Sequence, residues 1–290
     1  MPELPEVEVT RRLLEPRVVG RTIVSVRCGP PSYFFLTPPR RLEQKLVGKR
    51  ITSLERQGKY LLMGLGDEQR LLMHLGMTGQ LFMAGAVSPR LMSLAQHAPI
   101  DTSARAGEND PHTHLELEFA DGPPGMRFRD VRKFGKVRLL GRSESDARLD
   151  KLGPDALAAD GQALFSAVKK RRVPIKTVLL DQGVLAGVGN IYADEALFLS
   201  GIRPTRSAQR VTRKECLVLC DNVQRVLLRS IATGGSSISD FVAPDGQDGQ
   251  FQNERRVYAR EGEACSNCKT AIVRTVIGQR SSHYCPRCQR

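Results

Sequence analysis

CSNCKTAIVRTVIGQRSSHYCPRC, residues 265–288, sets four cysteines as Cys265-x2-Cys268-x16-Cys285-x2-Cys288. Each Cys-x-x-Cys knuckle aims two thiolates at one ion, and two knuckles complete a tetrahedral four-sulfur shell for Zn2+. That closed shell has no open coordination position, so the one zinc expected here is structural. Between the knuckles the chain alternates, breaks at Gly278 and resumes, which predicts a β-hairpin stapled at its base with Arg280 near its tip. A hairpin presenting arginine suits contact with a nucleic acid; a purely structural knob is the alternative. Cys28, Cys216 and Cys220 read as ordinary free thiols, and an odd total of seven suits a reducing compartment.

Outward from this module, charge limits the partners. The 290 residues carry a formal net charge of +13, with 23 basic and 18 acidic side chains in residues 1–150 and 21 against 13 in residues 151–290. An excess spread over both halves points to a long polyanion touching both, although charge alone also fits a merely soluble basic protein. No run of 18 apolar residues suggests a membrane span, and the opening MPELPEVEV lacks the basic-then-apolar order of a signal peptide. A cytoplasmic, nucleoid-associated protein is expected.

The patterning divides the chain. From Arg21 to Leu140, short alternating runs such as TIVSVRC, KYLLMGL, THLELEF and KVRLL are separated by turn residues, predicting an antiparallel β-sandwich. Before it, Val7, Thr10 and Leu14 share one face, and acids crowd the start, so a helix is expected over 5–15, ending before Pro16. Residues 84–113, rich in Ala, Ser, Pro and Gly, read as a long surface loop. After Pro154 the period becomes helical, with helices around Leu157–Phe165, Ile175–Leu180, Ile191–Leu199 and Cys216–Ile231. The turn DQGVLAGVGN before the third lets backbone N–H groups approach a phosphate, or simply packs helices tightly. The expected fold class is α+β: an N-terminal sandwich domain over 1–145, a helical domain over 150–233, and a loop plus zinc hairpin over 234–290.

The start, Met1-Pro2-Glu3, is the second chemical signal. Initiator Met is normally removed before a small residue, which would make Pro2 the terminus. A terminal proline is a secondary amine whose pKa lies at about 7.7–8 before perturbation. Attack on a sugar C1′ gives an iminium that stays cationic without a proton, and so acts as an electron sink for elimination. Glu3 is placed to protonate the opening sugar. Proline is also simply common at position 2.

The whole constellation carries more weight than its parts. MPELPEVE, QGKYLL at 57–62, MHLGMTGQL at 73–81, FRDVRKFG at 128–135, GVGNIYADEALF at 187–198 and the terminal GQRSSHYCPRCQ run in collinear order. Together they resemble the bacterial formamidopyrimidine-DNA glycosylase family and its endonuclease VIII relatives. The resemblance implies a monomeric base-excision repair enzyme that removes 8-oxoguanine or ring-opened purines from duplex DNA, then cuts the strand by β- and δ-elimination. It also implies a helix–two-turn–helix motif in the helical domain and a lesion-capping loop around 240–254.

Carried over by position, the resemblance makes Pro2 the Schiff-base nucleophile and Glu3 the acid acting on the sugar. Glu6 would assist near the lesion, Lys59 would be the acid/base of β-elimination, and Arg280 would grip the flanking phosphates and assist δ-elimination. His74, His112, Arg171 and Asn190 fall where the family holds the DNA backbone. Met77, Arg132 and Phe134 match the wedge that fills the hole left by an extruded base, with Arg132 facing the orphaned cytosine. Taken singly, Met77 and Phe134 also suit a core, and His74 a satisfied strand position. No organic cofactor is implied.

Departures stand beside the matches. Val131 and Lys133 interrupt an Asp-Pro-Arg-Arg-Phe-Gly pattern, Lys133 replacing a planar fork by a point charge. Ala259 stands where glycine is usual after Val257-Tyr258. Two other readings share parts of the pattern: an endonuclease VIII-like enzyme acting on oxidised pyrimidines, and a zinc-hairpin DNA-binding protein without catalysis. Leu4 and Arg132 favour the purine branch; Pro2, Glu3 and Lys59 all being in place argues against a binder.

Overall fold

The computed structural model describes residues 1–86, 88, 110–238 and 241–290. Most of the stretch read as a surface loop, 84–113, lies outside them. The chain forms two compact units, residues 1–146 with 233–250, and residues 147–232 with 251–290.

The first unit is an antiparallel sandwich with two helices, α1 (Leu4–Val18) and α2 (Pro39–Leu46). Its strands are β1 (Ile23–Cys28), β2 (Ile51–Gln57), β3 (Tyr60–Leu65), β4 (Arg70–His74), β5 (Gly79–Met83), β6 (Thr113–Phe119), β7 (Met126–Asp130) and β8 (Lys136–Leu140). They make two four-stranded sheets, ordered β1-β6-β7-β5 and β2-β3-β4-β8. The inward-facing residues of both sheets, among them Leu54, Leu61, Met63, Leu71, Leu115, Leu117 and Phe128, close into one core with Leu14 of α1 and Leu42 of α2. Alternation produces this arrangement because side chains at i and i+2 share a face.

Two expectations need correction. The N-terminal helix does not stop before Pro16 but runs to Val18, with Pro16 inside it. Proline removes one donor, but the ladder resumes where Val19 N–H donates to Glu15 O at 3.0 Å. Val18, fully buried, anchors this last turn. Helix α2 was not anticipated within the alternating region. Its Leu42 and Leu46, one turn apart, are buried in the core, while Pro39 suits a first helical position.

Residues 233–250 pack with the sandwich rather than with the zinc hairpin, with which the sequence reading had grouped them. The buried Glu6 carboxylate accepts Ser236 N–H at 2.9 Å, and Phe82 of β5 packs on Val242.

The second unit holds α3 (Ala147–Asp150), α4 (Gly161–Lys169), α5 (Ile175–Leu180), α6 (Asn190–Leu199), α7 (Arg213–Ala232), and a hairpin of β9 (Val273–Ile277) and β10 (Arg280–Tyr284). The helices fall close to their predicted positions. The hairpin pairs Arg280 with Ile277 across Gly278-Gln279, both at positive φ, a geometry that suits the right-handed twist of the strands. No helix among the described residues is long and apolar enough to cross a membrane.

Candidate functional site

Pro2 and Glu3 precede α1 directly, and Glu3, at its N-cap, is almost fully buried. Glu3 N–H donates to Glu6 Oε2 at 2.8 Å, while the other oxygen of Glu6 takes Ser236 N–H. Glu6 therefore fixes the direction in which the chain leaves the helix start. One turn later Glu8 accepts Arg12 at 2.8 Å and both Arg11 and, from the end of β2, Arg56 at 3.0 Å. Burial alone would raise the Glu8 carboxyl, but the hydrogen bonds and charges of these arginines hold it down at about 2. Arg56 also donates to Gly58 O at 3.1 Å. Gly58 (φ 57°) and Lys59 form the two-residue turn between β2 and β3, and Lys59 is buried there. An ion pair thus ties the helix that starts with Glu3 to the hairpin that presents Lys59.

A second group forms at one end of the sandwich. The loop 75–78 leads from β4 to β5, and the loop 131–135 leads from β7 to β8, so each crosses between sheets. Because β5 pairs with β7 (Gly79 opposite Asp130) and β4 with β8 (His74 opposite Lys136), the two loops must run side by side. They touch at Gly76: a Cβ there would meet Gly135 N and Phe134 C at 2.5 Å, so this close approach requires glycine. Met77 is 36% exposed and Phe134 41%, in a molecule where most large apolar side chains are buried, which sets aside the core alternative for both. Arg132 lies over the Phe134 ring at 4.6 Å. His74 sits at the root, accepting Gly76 N–H on Nδ1 at 3.1 Å with its ring 4.7 Å from that of Tyr60. His112 is half-buried, and its carbonyl accepts Asp130 N–H at 2.9 Å.

Sequence reasoning missed the residue that holds these loops together. Asp130, fully buried, accepts the Thr78 hydroxyl and Arg132 N–H (3.2 Å) on Oδ1 and Gly135 N–H (2.6 Å) on Oδ2. The Thr78 hydroxyl in turn accepts Arg132 N–H at 3.1 Å. The aspartate lay within a quoted motif, but nothing in the letters announces that it points inward. Lys133, one of the departures, adopts φ 57° in this loop, a conformation uncommon for a residue with a Cβ.

In the second unit, Gln182 braces the turn between α5 and α6, donating to Leu180 O and Val188 O and accepting Gly187 N–H, all at 2.9–3.0 Å. Asn190 opens α6, and its side-chain oxygen is buried with no hydrogen-bond partner among the described residues. Arg171 pairs with Asp181 at 2.5 Å, which lowers that carboxyl below its ordinary range. Arg280 is exposed at the start of β10.

The four cysteine ligand atoms lie within 4.8 Å of one another, with Cys265–Cys288 sulfurs 3.9 Å apart and Cys268–Cys285 sulfurs 3.4 Å apart. A tetrahedron with Zn–S bonds of about 2.3 Å has edges of roughly 3.8 Å, so the residues present fit zinc. Gln289 supports the second knuckle, accepting Cys285 N–H and donating to Ile202 O, each at 2.8 Å. Burial pushes the other thiols up, Cys28 to about 12 and Cys216 and Cys220 to about 11.

Family models for the formamidopyrimidine-DNA glycosylase N-terminal domain, its H2TH domain and the zinc finger found in FPG and IleRS match residues 1–137, 152–242 and 262–290 in turn. The chain belongs to the formamidopyrimidine-DNA glycosylase family. Named family members from Hahella chejuensis and Thioalkalivibrio sulfidiphilus are 40% and 42% identical to it, each over the full length of both chains. Among solved structures, a Lactococcus lactis FPG mutant in complex with Fapy-dG-containing DNA is 36% identical, with TM-score 0.84 and full coverage of both chains. The L. lactis protein bound to abasic-site DNA is 35% identical, with TM-score 0.83 over 99% of each. Residues 152–242 accordingly carry the family's H2TH domain, and the four cysteines its structural zinc.

Proposed function

We propose that this protein is a base-excision repair glycosylase that removes oxidised purines, 8-oxoguanine and formamidopyrimidines, from duplex DNA and then cleaves the strand as a lyase, acting as a monomer in the cytoplasm at the nucleoid. The observation that carries the reading is the collinear family match over all three modules, joined to the Glu8–Arg56 ion pair between the helix that follows Pro2-Glu3 and the hairpin that presents Lys59.

With Met1 removed, the Pro2 nitrogen lone pair attacks C1′ of the damaged nucleotide. The N-glycosidic bond breaks and the base leaves with its electron pair, protonated as it goes. Glu3 delivers a proton to the ring oxygen as the sugar opens, leaving an iminium between Pro2 and C1′. That cation acidifies C2′; loss of its proton expels the 3′ phosphate, and Lys59 handles the proton. Loss of a proton from C4′ of the now conjugated iminium expels the 5′ phosphate in a second elimination, with Arg280 on the phosphate oxygens. Glu6 keeps the nucleophile aimed. His74, His112, Arg171 and Asn190 hold the backbone, and Met77, Arg132 and Phe134 occupy the space the extruded nucleotide vacates. Zinc maintains the hairpin that carries Arg280 and takes no part in bond making.

Borohydride should trap a covalent adduct with DNA carrying 8-oxoguanine opposite cytosine, and mass spectrometry should place the attachment at Pro2. Trapping only with an oxidised pyrimidine would reverse the substrate assignment. Attachment at any other residue would end the proline mechanism.

A further inference from the structure

Tyr33 belongs to none of the motifs that carry the family resemblance, yet it is built into the loop bearing Arg132 and Phe134. Its ring is 56% exposed, although its chain neighbours Phe34 and Phe35 are buried in the core with rings edge-on at 4.9 Å. The segment is laced to β8 immediately after that loop: Val137 N–H donates to Phe34 O at 3.0 Å and Leu36 N–H to Val137 O at 2.8 Å. Tyr33 is therefore held on a rigid base while its side chain stands clear of the core.

That side chain contacts the loop twice and the first residue of β8 once. Its hydroxyl donates to the Arg132 carbonyl at 2.6 Å, and its ring centroid lies 6.2 Å from that of Phe134. Lys136 Nζ sits 4.7 Å over the Tyr33 ring and donates to Gly135 O at 3.0 Å. The Arg132 guanidinium lies over the Phe134 ring. The four side chains form one chain of contacts, Lys136, Tyr33, Phe134, Arg132. Both peptide groups of Arg132 are thereby fixed, its N–H by Thr78 and Asp130, its C=O by Tyr33. With both fixed, the Cα–Cβ bond of Arg132 has one direction, and the Phe134 ring supports the guanidinium at the end of the side chain.

We infer that Tyr33 is a positioning residue for the wedge, fixing Arg132 and Phe134 so that the enzyme distinguishes the base opposite the lesion. This rests on the wedge role proposed above for Arg132. Tyr33 acts through Arg132 and not on the reacting sugar, so its loss should change discrimination and leave the lyase chemistry alone.

The test compares the full-length zinc-bound enzyme with Y33F and Y33A. The readout is the ratio of kcat/KM for 8-oxoguanine opposite cytosine to that opposite adenine, with cleavage of single-stranded abasic DNA as the reference reaction. Y33F, which loses only the hydroxyl, should lower the ratio about fivefold, the worth of one ordinary hydrogen bond. Y33A, which also loses the ring contact with Phe134, should lower it about tenfold or more. Melting temperature and abasic-strand cleavage should stay at wild-type values. An unchanged ratio in Y33A beside a discriminating wild type would overturn this inference alone. A parallel fall in abasic-strand cleavage would overturn it too, by showing a general defect. Wild type that excises 8-oxoguanine opposite neither base would overturn the functional reading, and this inference with it.

Discussion

Replacing Lys176 by Met tests whether a buried ion pair holds the zinc hairpin to the helices. Lys176 on α5 and Asp194 on α6 are both fully buried and pair at 2.7 Å. Lys176 also donates to Ser281 O at 2.8 Å, while Asp194 accepts the Ser282 hydroxyl at 2.9 Å and His283 N–H at 2.8 Å. Two helices and β10 therefore meet at one charge pair. Removing the cation leaves a buried carboxylate, a loss of about 3–5 kcal/mol in comparable cases. Two donors stay on Asp194, so the lower end, about 3 kcal/mol, applies. For a unit of this size that is a melting shift on the order of 10 °C. D194N alone should also destabilise, but K176M/D194N should be better than the sum of the singles by about 2 kcal/mol, because no uncompensated charge remains. Urea unfolding followed by circular dichroism, with released zinc detected by a chromophoric chelator, measures both the helices and the hairpin. A K176M loss under about 1 kcal/mol, or singles that add, would refute the account.

Two further outcomes follow from particular residues. Ala259 adopts φ 54° on an exposed turn, where the family usually has glycine. Relief of about 1–2 kcal/mol of left-handed strain, less about 0.5–1 kcal/mol of added chain entropy, makes A259G more stable by roughly 0.5–1 kcal/mol in urea titrations; a loss of stability would contradict the strain argument. Glu8, held at about 2 against 4.5 unperturbed, contributes stability that is present above pH 5 and lost as pH falls from about 5 to 2. The 2.5-unit difference corresponds to at most about 3 kcal/mol, and less with solvent screening near the arginines. E8Q should flatten the stability profile across that window, and an unchanged slope would remove the arginine cluster as its cause.

The elements most legible in the sequence were those fixed by local geometry. Cysteine spacing and Gly278 gave the hairpin, and alternation gave the strands, because both depend on residues a few positions apart. Pro16 misled because its penalty is local while the burial of Val18 that carries α1 past it is not. Helix α2 hid inside a β region because two leucines one turn apart are too few to establish a period. The placement of 233–250 depended on Glu6 and Ser236, which are 230 positions apart. Ala259 was visible as a departure, but only its φ explains why glycine is preferred there.

The candidate site shows the same division in its chemistry. Lys59, Arg132 and Arg280, with Met77 and Phe134, were legible by type, and they stand on turns or at strand ends. Turns do not hold their own shape. Several chain segments beside them are instead fixed by a buried carboxylate that accepts backbone N–H groups: Glu6 from Glu3 and Ser236, Asp130 from Arg132 and Gly135, Asp194 from His283 on β10, and Glu195 from Arg256, Val257 and Tyr258 at 2.9–3.0 Å. All four acids are no more than 2% exposed. Burying such a group is costly unless its oxygens are satisfied, and here the satisfying donors are the turns themselves. A net basic composition therefore conceals the acids that aim the bases. Substituting Asp130, Asp194 or Glu195 should cost activity through misplacement of a neighbouring segment.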